Sequence, residues 1–185
     1  MPRAKNDVAE GNRVSVRLLP VAVAIAGVTA GVVLLAGCSS DEPEAPRVPP
    51  IESPKGLVGL DPCTLVDGAE RADLGLGPGV PGTDELGANC RWSGESPRSV
   101  QLTSYTSGDG LTDLTKKVDP AASRVRLSGY PALETFTTGG AFCRYDIGVA
   151  KEQAIVATMD GGEPDSCTAL QKLLTAVLSQ LPASE

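Results

Sequence analysis

The sequence predicts an α+β domain in which an antiparallel sheet carries helices packed on one side. Two patterns near the C-terminus support this fold class. Apolar residues alternate with polar ones over Cys143–Val149 and again over Ile155–Met159, which is typical of a hairpin. Leucines and valines then recur at helical spacing over Cys167–Leu181, which gives a helix an apolar stripe for the sheet. We therefore predict a single domain over residues 60–185, since about 125 residues suffice for one core.

The other elements of the domain precede this hairpin. Asp61 is a suitable N-cap and Pro62 a suitable first residue for a helix that ends near Gly75. The glycine- and proline-rich residues 75–82 lack the strand and helix that flank a phosphate-binding loop, so they are predicted to be a surface loop. The last strand of the hairpin is apolar on both faces and is predicted to be central. Further elements are predicted as strands at Cys90–Trp92, Ser99–Tyr105, Arg124–Leu127 and Ala132–Thr137, and as a short helix from Leu111 to Pro120.

The N-terminal residues have the three-part layout of a secretory signal. A net positive arm is followed by an uncharged run from Leu18 to Gly37, which ends in the lipobox pattern Leu35-Ala36-Gly37-Cys38. This predicts a lipoprotein signal peptide over residues 1–37, cleaved between Gly37 and Cys38, with acyl chains such as palmitate on Cys38. An uncleaved transmembrane anchor is the alternative, because about 20 apolar residues can span a bilayer. Two acyl chains would hold the protein on the extracytoplasmic face of the cell membrane.

Residues 38–59 are rich in proline, glutamate, serine and aspartate. Proline fixes φ and donates no backbone hydrogen bond, so this segment is predicted to be an extended tether. Removing residues 1–37, with four basic and two acidic residues, leaves 12 Lys and Arg against 21 Asp and Glu, a formal charge of −9. A chain this acidic repels nucleic acid and anionic lipid head groups, so no nucleic-acid partner is expected.

Histidine is absent from the chain. The commonest general base and transition-metal ligand is therefore missing, and a Ser-His-Asp or Cys-His mechanism is excluded for this chain alone. No Gly-x-Ser-x-Gly motif is present. We identify no catalytic residue, and we expect no cofactor and no metal.

The four remaining cysteines are Cys63, Cys90, Cys143 and Cys167. An even number in an exported domain indicates disulfides, and three pairings are possible. Cys63–Cys90 and Cys143–Cys167 are favoured, because each bond closes a short loop within one half of the domain. A four-cysteine metal site is the alternative, but the sequence has no Cys-x-x-Cys spacing.

Several short segments occur in an order found in a known family. They are Asp61-Pro62-Cys63-Thr64-Leu65-Val66, Leu74-Gly75-Leu76, Cys90-Arg91-Trp92, Gly129-Tyr130-Pro131-Ala132, a strand with Cys143 and a helix with Cys167. The set resembles an actinobacterial lipoprotein family known as a domain of unknown function (DUF3558), over about residues 60–182 and the leader. The resemblance implies an exported, disulfide-bonded lipoprotein of the actinobacterial cell envelope. It implies no activity and no catalytic residues.

Carboxylates and aromatic residues are the remaining candidates for a site. The acidic turn Asp160–Asp165 lacks the EF-hand spacing, so it is interpreted as a polar turn rather than a Ca²⁺ site. Trp92 is predicted to pack on a disulfide, and most aromatic side chains are predicted to lie in the core. Carboxylates that could serve glycoside hydrolysis are Asp84, Glu85, Asp109, Asp113, Glu134 and Asp146, and no pair stands out in the sequence.

These observations lead to three hypotheses of function. The first is a non-enzymatic binding or accessory lipoprotein of the cell envelope, anchored through the lipid on Cys38, which binds an envelope protein or a small ligand. The second is a small envelope hydrolase that uses two carboxylates. The third is a structural surface module without a ligand, which would have no concave apolar pocket.

Overall fold

The computed structural model describes residues 48–94, 98–137, 139, 141–161 and 165–184. All of them belong to one compact unit, Pro43–Glu185. The predicted signal peptide, Gly37 and Cys38 lie outside the described residues, as do the first part of the predicted tether and the middle of the acidic turn.

Seven antiparallel strands form one sheet, in the order β1-β2-β3-β7-β6-β5-β4. The predicted fold class is confirmed, and β7 lies between β3 and β6, as the apolar character of both its faces indicated. The strands are β1 (Val80–Asp84), β2 (Gly87–Ser93), β3 (Ser99–Tyr105), β4 (Ser123–Leu127), β5 (Tyr130–Phe136), β6 (Phe142–Ala150) and β7 (Gln153–Asp160).

The described helices are a 3₁₀ helix (Pro62–Thr64), α1 (Gly68–Asp73), α2 (Leu111–Thr115) and α3 (Ser166–Gln180). The single helix predicted from Pro62 is thus two short helices. Asp61 caps the first, where its carboxylate accepts a hydrogen bond from the Cys63 amide at 2.9 Å, as predicted. Asp67 caps α1 and exchanges hydrogen bonds with Glu70 in a capping box, which starts a second helix.

The first face of the sheet packs against α3. Leu170, Leu174 and Val177 of the helix are fully buried. Alternate residues of β7 meet them, and Ile155 and Met159 are also fully buried. This cluster is the main core of the domain. Its residues are those that the alternation along β7 and the helical spacing along α3 place on one face of each element.

The second face of the sheet packs against α2, and this corrects one detail of the predicted architecture. Leu111 and Leu114 of α2 form a separate apolar cluster with Ala154 and Val156, which alternate along β7 with the residues of the main core. The helices therefore do not all lie on one side. A helix of five residues covers only one end of this face.

The second half of the predicted tether is part of the folded domain. Leu57 is 1% exposed and lies in the main core. The Lys55 amide donates to the Val149 carbonyl at 2.8 Å, and the Tyr130 hydroxyl donates to the Ser53 carbonyl at 2.7 Å. The domain therefore begins before residue 60, because these contacts join residues far apart in the sequence.

The predicted surface loop over residues 75–82 is also shorter than expected. Its last residues begin β1, an exposed edge strand that pairs with β2 from Val80↔Arg91 to Asp84↔Gly87. An edge strand tolerates Pro81 and Gly82, because only one of its sides takes part in the hydrogen-bond ladder.

Candidate functional site

Two disulfides fix the ends of the domain. Cys63 is bonded to Cys90 and Cys143 to Cys167, with Cα–Cα distances of 5.0 and 5.1 Å. The favoured pairing is therefore confirmed. The first bond ties the 3₁₀ helix to β2, and the second ties the first turn of α3 to β6.

Trp92 lies beside the Cys63–Cys90 disulfide, as predicted. A Cβ atom added at Gly79 would lie 2.6 Å from both Cys90 Sγ and Trp92 Nε1, so glycine is needed for the chain to pass over this pair. Both Cys90 and Trp92 are fully buried. The aromatic side chain thus serves the core and not a ligand site.

The uncovered half of the second face carries a row of hydrogen-bonding side chains, which we name the polar row. Its members are aligned across five neighbouring strands: Arg91 on β2, Gln101 on β3, Thr158 on β7, Arg144 on β6 and Thr135 on β5. Arg91 is exposed and the other four are partly exposed. Because neighbouring strands lie about 4.8 Å apart, the polar row spans about 19 Å.

Hydrogen bonds between side chains hold one end of the polar row in place. Arg91 donates to the Gln101 side-chain carbonyl, and Gln101 donates to Asp84 Oδ2 at 3.1 Å. Asn89 donates to the same oxygen at 3.0 Å. The other carboxylate oxygen of Asp84 accepts from the Leu86 and Gly87 amides in the turn between β1 and β2. The side chains are therefore preorganised before any partner binds.

An ion pair with a buried carboxylate holds the polar row near its other end. Arg144 contacts Asp146 Oδ1 through two nitrogens, each at 2.9 Å. Burial raises the pKa of the Asp146 carboxyl, and the charge and hydrogen bond of Arg144 partly oppose this rise. The pair fixes the guanidinium of Arg144 in the polar row.

A family model matches most of the chain. The family is described as a protein of unknown function (DUF3558), and the match covers residues 33–180. The chain belongs to the DUF3558 family. No curated protein and no solved structure matches it.

The match to DUF3558 begins before Cys38 and includes all four disulfide cysteines. Gly37 and Cys38 themselves lie outside the described residues. Among the residues that the structure describes, no helix is long and apolar enough to cross a membrane.

The carboxylates considered for hydrolysis are dispersed in this DUF3558 domain. Glu134 and Asp146 lie on opposite faces of the sheet. Glu134 is the register partner of Tyr145, whose side chain lies on the first face. Asp146 follows Tyr145 on β6, so its side chain lies on the second face. Asp113 accepts from the Asp109 amide and from Lys116, and these contacts lower the pKa of its carboxyl. Glu134 and Asp146 therefore do not form the pair of carboxylates across one cleft that the hydrolase hypothesis needs.

One group of three potential metal ligands occurs in the described part of the chain. It comprises Glu134, Cys143 and Cys167, whose ligand atoms lie within 4.8 Å of one another. The two sulfurs are bonded to each other and are not thiolates. The Tyr145 hydroxyl donates to Glu134, and burial followed by this contact raises the pKa of the tyrosine. The group is therefore structural in the oxidised protein.

The sequence alone does not predict the polar row. Alternation places Gln101 and Arg144 on the polar side of their strands, but their alignment depends on β7 lying between β3 and β6. The signal present in the sequence is the apolar character of both faces of β7, which indicates a central strand with neighbours on each side.

Proposed function

We propose that this DUF3558 protein is a membrane-anchored extracytoplasmic lipoprotein of the actinobacterial envelope, and that its domain is a non-enzymatic module that binds an envelope protein. The observation that carries the proposal is the polar row on the open half of the second face. Buried positions of a sheet favour apolar residues, so five aligned polar side chains indicate a surface that meets either water or a polar partner.

The anchor is supported by the layout of the leader and by the two disulfides. Disulfides persist in oxidising compartments outside the cytoplasm. Nine residues, 39–47, separate Cys38 from Val48, the first described residue. Nine extended residues span at most about 30 Å, so the domain would stay close to the membrane.

A protein partner is supported by the charge and rigidity of the polar row. Arg91 is exposed, and among the described residues its guanidinium donates to the uncharged Gln101 and to no carboxylate. A partner that places a carboxylate on Arg91 would form a charge-assisted hydrogen bond. Because Gln101 already holds this side chain and is itself held by Asp84, little conformational entropy is lost on binding.

Site-specific photo-crosslinking in intact cells tests the proposal. A photoreactive residue replaces Thr158 in the polar row or, as the control, the exposed Gln171 on the outer side of α3. The expected result is one discrete adduct from position 158 and none from position 171. Arg91→Glu should abolish the adduct, and Lys172→Glu, a charge reversal on α3, should leave it intact.

Two results would contradict the proposal. Equal adducts from positions 158 and 171 would indicate random collisions. An adduct that persists in Arg91→Glu with undiminished yield would show that the polar row does not determine binding.

A further inference from the structure

Basic side chains are distributed unevenly between the two faces of the sheet. Every arginine that lies in a described strand is on the second face: Arg91 on β2, Arg124 and Arg126 on β4, and Arg144 on β6. Their neighbours along the strands, such as Trp92, Val125 and Tyr145, lie in the main core or pack against it on the first face. The second face is therefore the basic side of a domain that is acidic overall.

Part of this positive charge is not neutralised within the domain. Arg91 and Arg124 form no ion pair with any described residue. The acidic groups nearest to them are already engaged. The carboxylate of Asp84 accepts hydrogen bonds from its own turn and from β2 and β3, and the carboxylate of Asp146 is paired with Arg144. An anionic partner would therefore meet positive charge that the protein itself leaves uncompensated.

The polar row sets the distance between two of the guanidiniums. Arg91 and Arg144 lie level in the register of the sheet, with β3 and β7 between their strands. Three strand spacings of about 4.8 Å put the two positions about 14 Å apart. Gln101 holds the first guanidinium and Asp146 the second. The two cations are thus presented at a set separation, and the residues between them, Gln101 and Thr158, carry an uncharged amide and an uncharged hydroxyl.

This separation fits an extended segment better than a helix. In an extended chain the side chains of residues i and i+4 point to the same side and lie about 13 Å apart. On a helix, side chains return to the same line at i+7 and i+11, about 10.5 and 16.5 Å away, and neither value matches the two arginines. An extended segment would also place residue i+2 over Gln101 and Thr158. Asp160 is the next residue of β7 on this face, so a third carboxylate at i+2 would be repelled.

We infer that the polar row binds an extended acidic segment of its protein partner, which places two carboxylates, four residues apart, on Arg91 and Arg144. An uncharged polar residue lies midway between the two carboxylates. The inference rests on the proposed function and adds the chemistry of the partner to it. Each carboxylate forms a charge-assisted hydrogen bond with one guanidinium. Arg124 and Arg126, farther along the same face, add to the positive potential that attracts such a segment.

Short synthetic peptides test the spacing on the full mature chain, held in neutral micelles, with binding followed through ¹H–¹⁵N chemical shifts. The first peptide is acetyl-Gly-Ser-Glu-Thr-Gln-Thr-Glu-Ser-Gly-amide. Its isomer, acetyl-Gly-Ser-Thr-Glu-Gln-Glu-Thr-Ser-Gly-amide, has the two glutamates only two residues apart. The first peptide should bind at least threefold more tightly than the isomer, with saturable shifts at residues 91, 101, 144 and 158. Equal affinities, or shifts confined to α3, would overturn the inference.

Matched changes in the protein and in the peptide show which charges meet. Arg91→Gln removes an exposed charge and should lower the affinity of the first peptide at least threefold. The same variant should bind a peptide with glutamine in place of both glutamates as the wild type does. Lys172→Gln, on α3, is the control and should leave both affinities unchanged. An Arg91→Gln protein that binds the first peptide as tightly as the wild type would overturn the inference.

The adduct formed in cells from position 158 separates failure of this inference from failure of the proposed function. Mass spectrometry of the adduct identifies the partner segment, which should contain two acidic residues four apart in its sequence. An adduct that is lost in Arg91→Glu but maps to a protein segment without such a pair would overturn the inference and leave the proposed function standing. An adduct with a polymer other than protein, or no adduct at all, would overturn both.

Discussion

Asp146 and Arg144 form an ion pair whose two members differ sharply in burial. The two residues lie on the same strand and face the same side of the sheet, but the Asp146 side chain is 1% exposed and the Arg144 side chain 30%. Asp146 Oδ2 has no hydrogen-bond partner among the described residues. The carboxylate is therefore incompletely satisfied, while the guanidinium reaches the open surface. The pair orients Arg144 in the polar row at a cost to the stability of the fold.

This burial predicts an unusual pH dependence of stability. The pKa of Asp146 is raised above its ordinary value of 3.8, so the folded protein binds this proton more tightly than the unfolded chain does. Stability from this group therefore rises as pH falls from neutral through the raised pKa, and it levels off below about 3.8. Asp146→Asn should lack this gain. Urea unfolding of both proteins between pH 7 and 4 measures the difference, and parallel profiles would contradict the prediction.

A variant of Arg144 tests the same pair from the other side. Arg144 lowers the pKa of Asp146 against the effect of burial, so Arg144→Gln should raise that pKa further. The acid-side gain in stability should then begin at a higher pH than in the wild type. An NMR titration of the Asp146 carboxyl carbon measures the shift directly, and a lower pKa in the variant would disprove the assigned role of Arg144.

The close passage of Gly79 over Trp92 predicts a specific loss of stability. Gly79→Ala would place a Cβ 2.6 Å from Cys90 Sγ and Trp92 Nε1, and neither buried neighbour can move without disturbing the core. Overpacking of this kind costs about 1–3 kcal/mol. Gly68→Ala is the control, because its Cβ would meet only Arg71 Nη2, at 3.7 Å. Unfolding followed by the fluorescence of the single tryptophan reports both variants, and an equal midpoint for the two would contradict the prediction.

The start of the folded domain can be tested at Leu57 and its neighbour. Leu57 is 1% exposed and Val58 is 75% exposed, although the sequence predicts that both lie in the tether. Leu57→Ala should therefore destabilise the protein by about 2–5 kcal/mol, as for other buried leucines. Val58→Ala should change stability by less than about 0.5 kcal/mol, as for other surface sites. Equal small effects in urea unfolding would place Leu57 outside the core.

The elements predicted correctly from the sequence are those whose signal is local. The alternation over Ser99–Tyr105 and the helical spacing that starts at Cys167 each report on one element and its own buried face. The favoured disulfides also follow from short separations of 27 and 24 residues. Local patterns of this kind identify an element whichever other element covers its buried face.

The features missed from the sequence depend on contacts between distant residues. The proline-rich segment before Leu57 has the composition of a tether, but hydrogen bonds to Val149 and Pro182 hold it on the domain. Strand β1 has no apolar alternation, because an exposed edge strand is held by its backbone ladder. The polar row requires the register of five strands, which no single segment specifies.

Each disulfide should contribute substantially to the stability of the domain. The Cys63–Cys90 and Cys143–Cys167 bonds close loops of 27 and 24 residues. The loop-entropy model gives roughly 3–4 kcal/mol for loops of this length. Replacing either pair by serine should lower the free energy of unfolding in urea by this amount. A loss below about 1 kcal/mol for both pairs would show that the unfolded chain is not constrained as that model assumes.

The proposed lipid anchor predicts the fate of a single-residue variant. The wild type should fractionate with membranes as a mature chain that begins at Cys38, and its intact mass should include the acyl chains. Cys38→Ala lacks the thiol that accepts the lipid, so it should be released in unlipidated form or remain as the uncleaved precursor. Ser39→Ala, the control one residue away, should behave as the wild type. Cell fractionation with intact-mass measurement separates these outcomes. A Cys38→Ala protein of mature size that stays in the membrane fraction would contradict lipidation at Cys38, because the described domain has no other apolar span to hold it there.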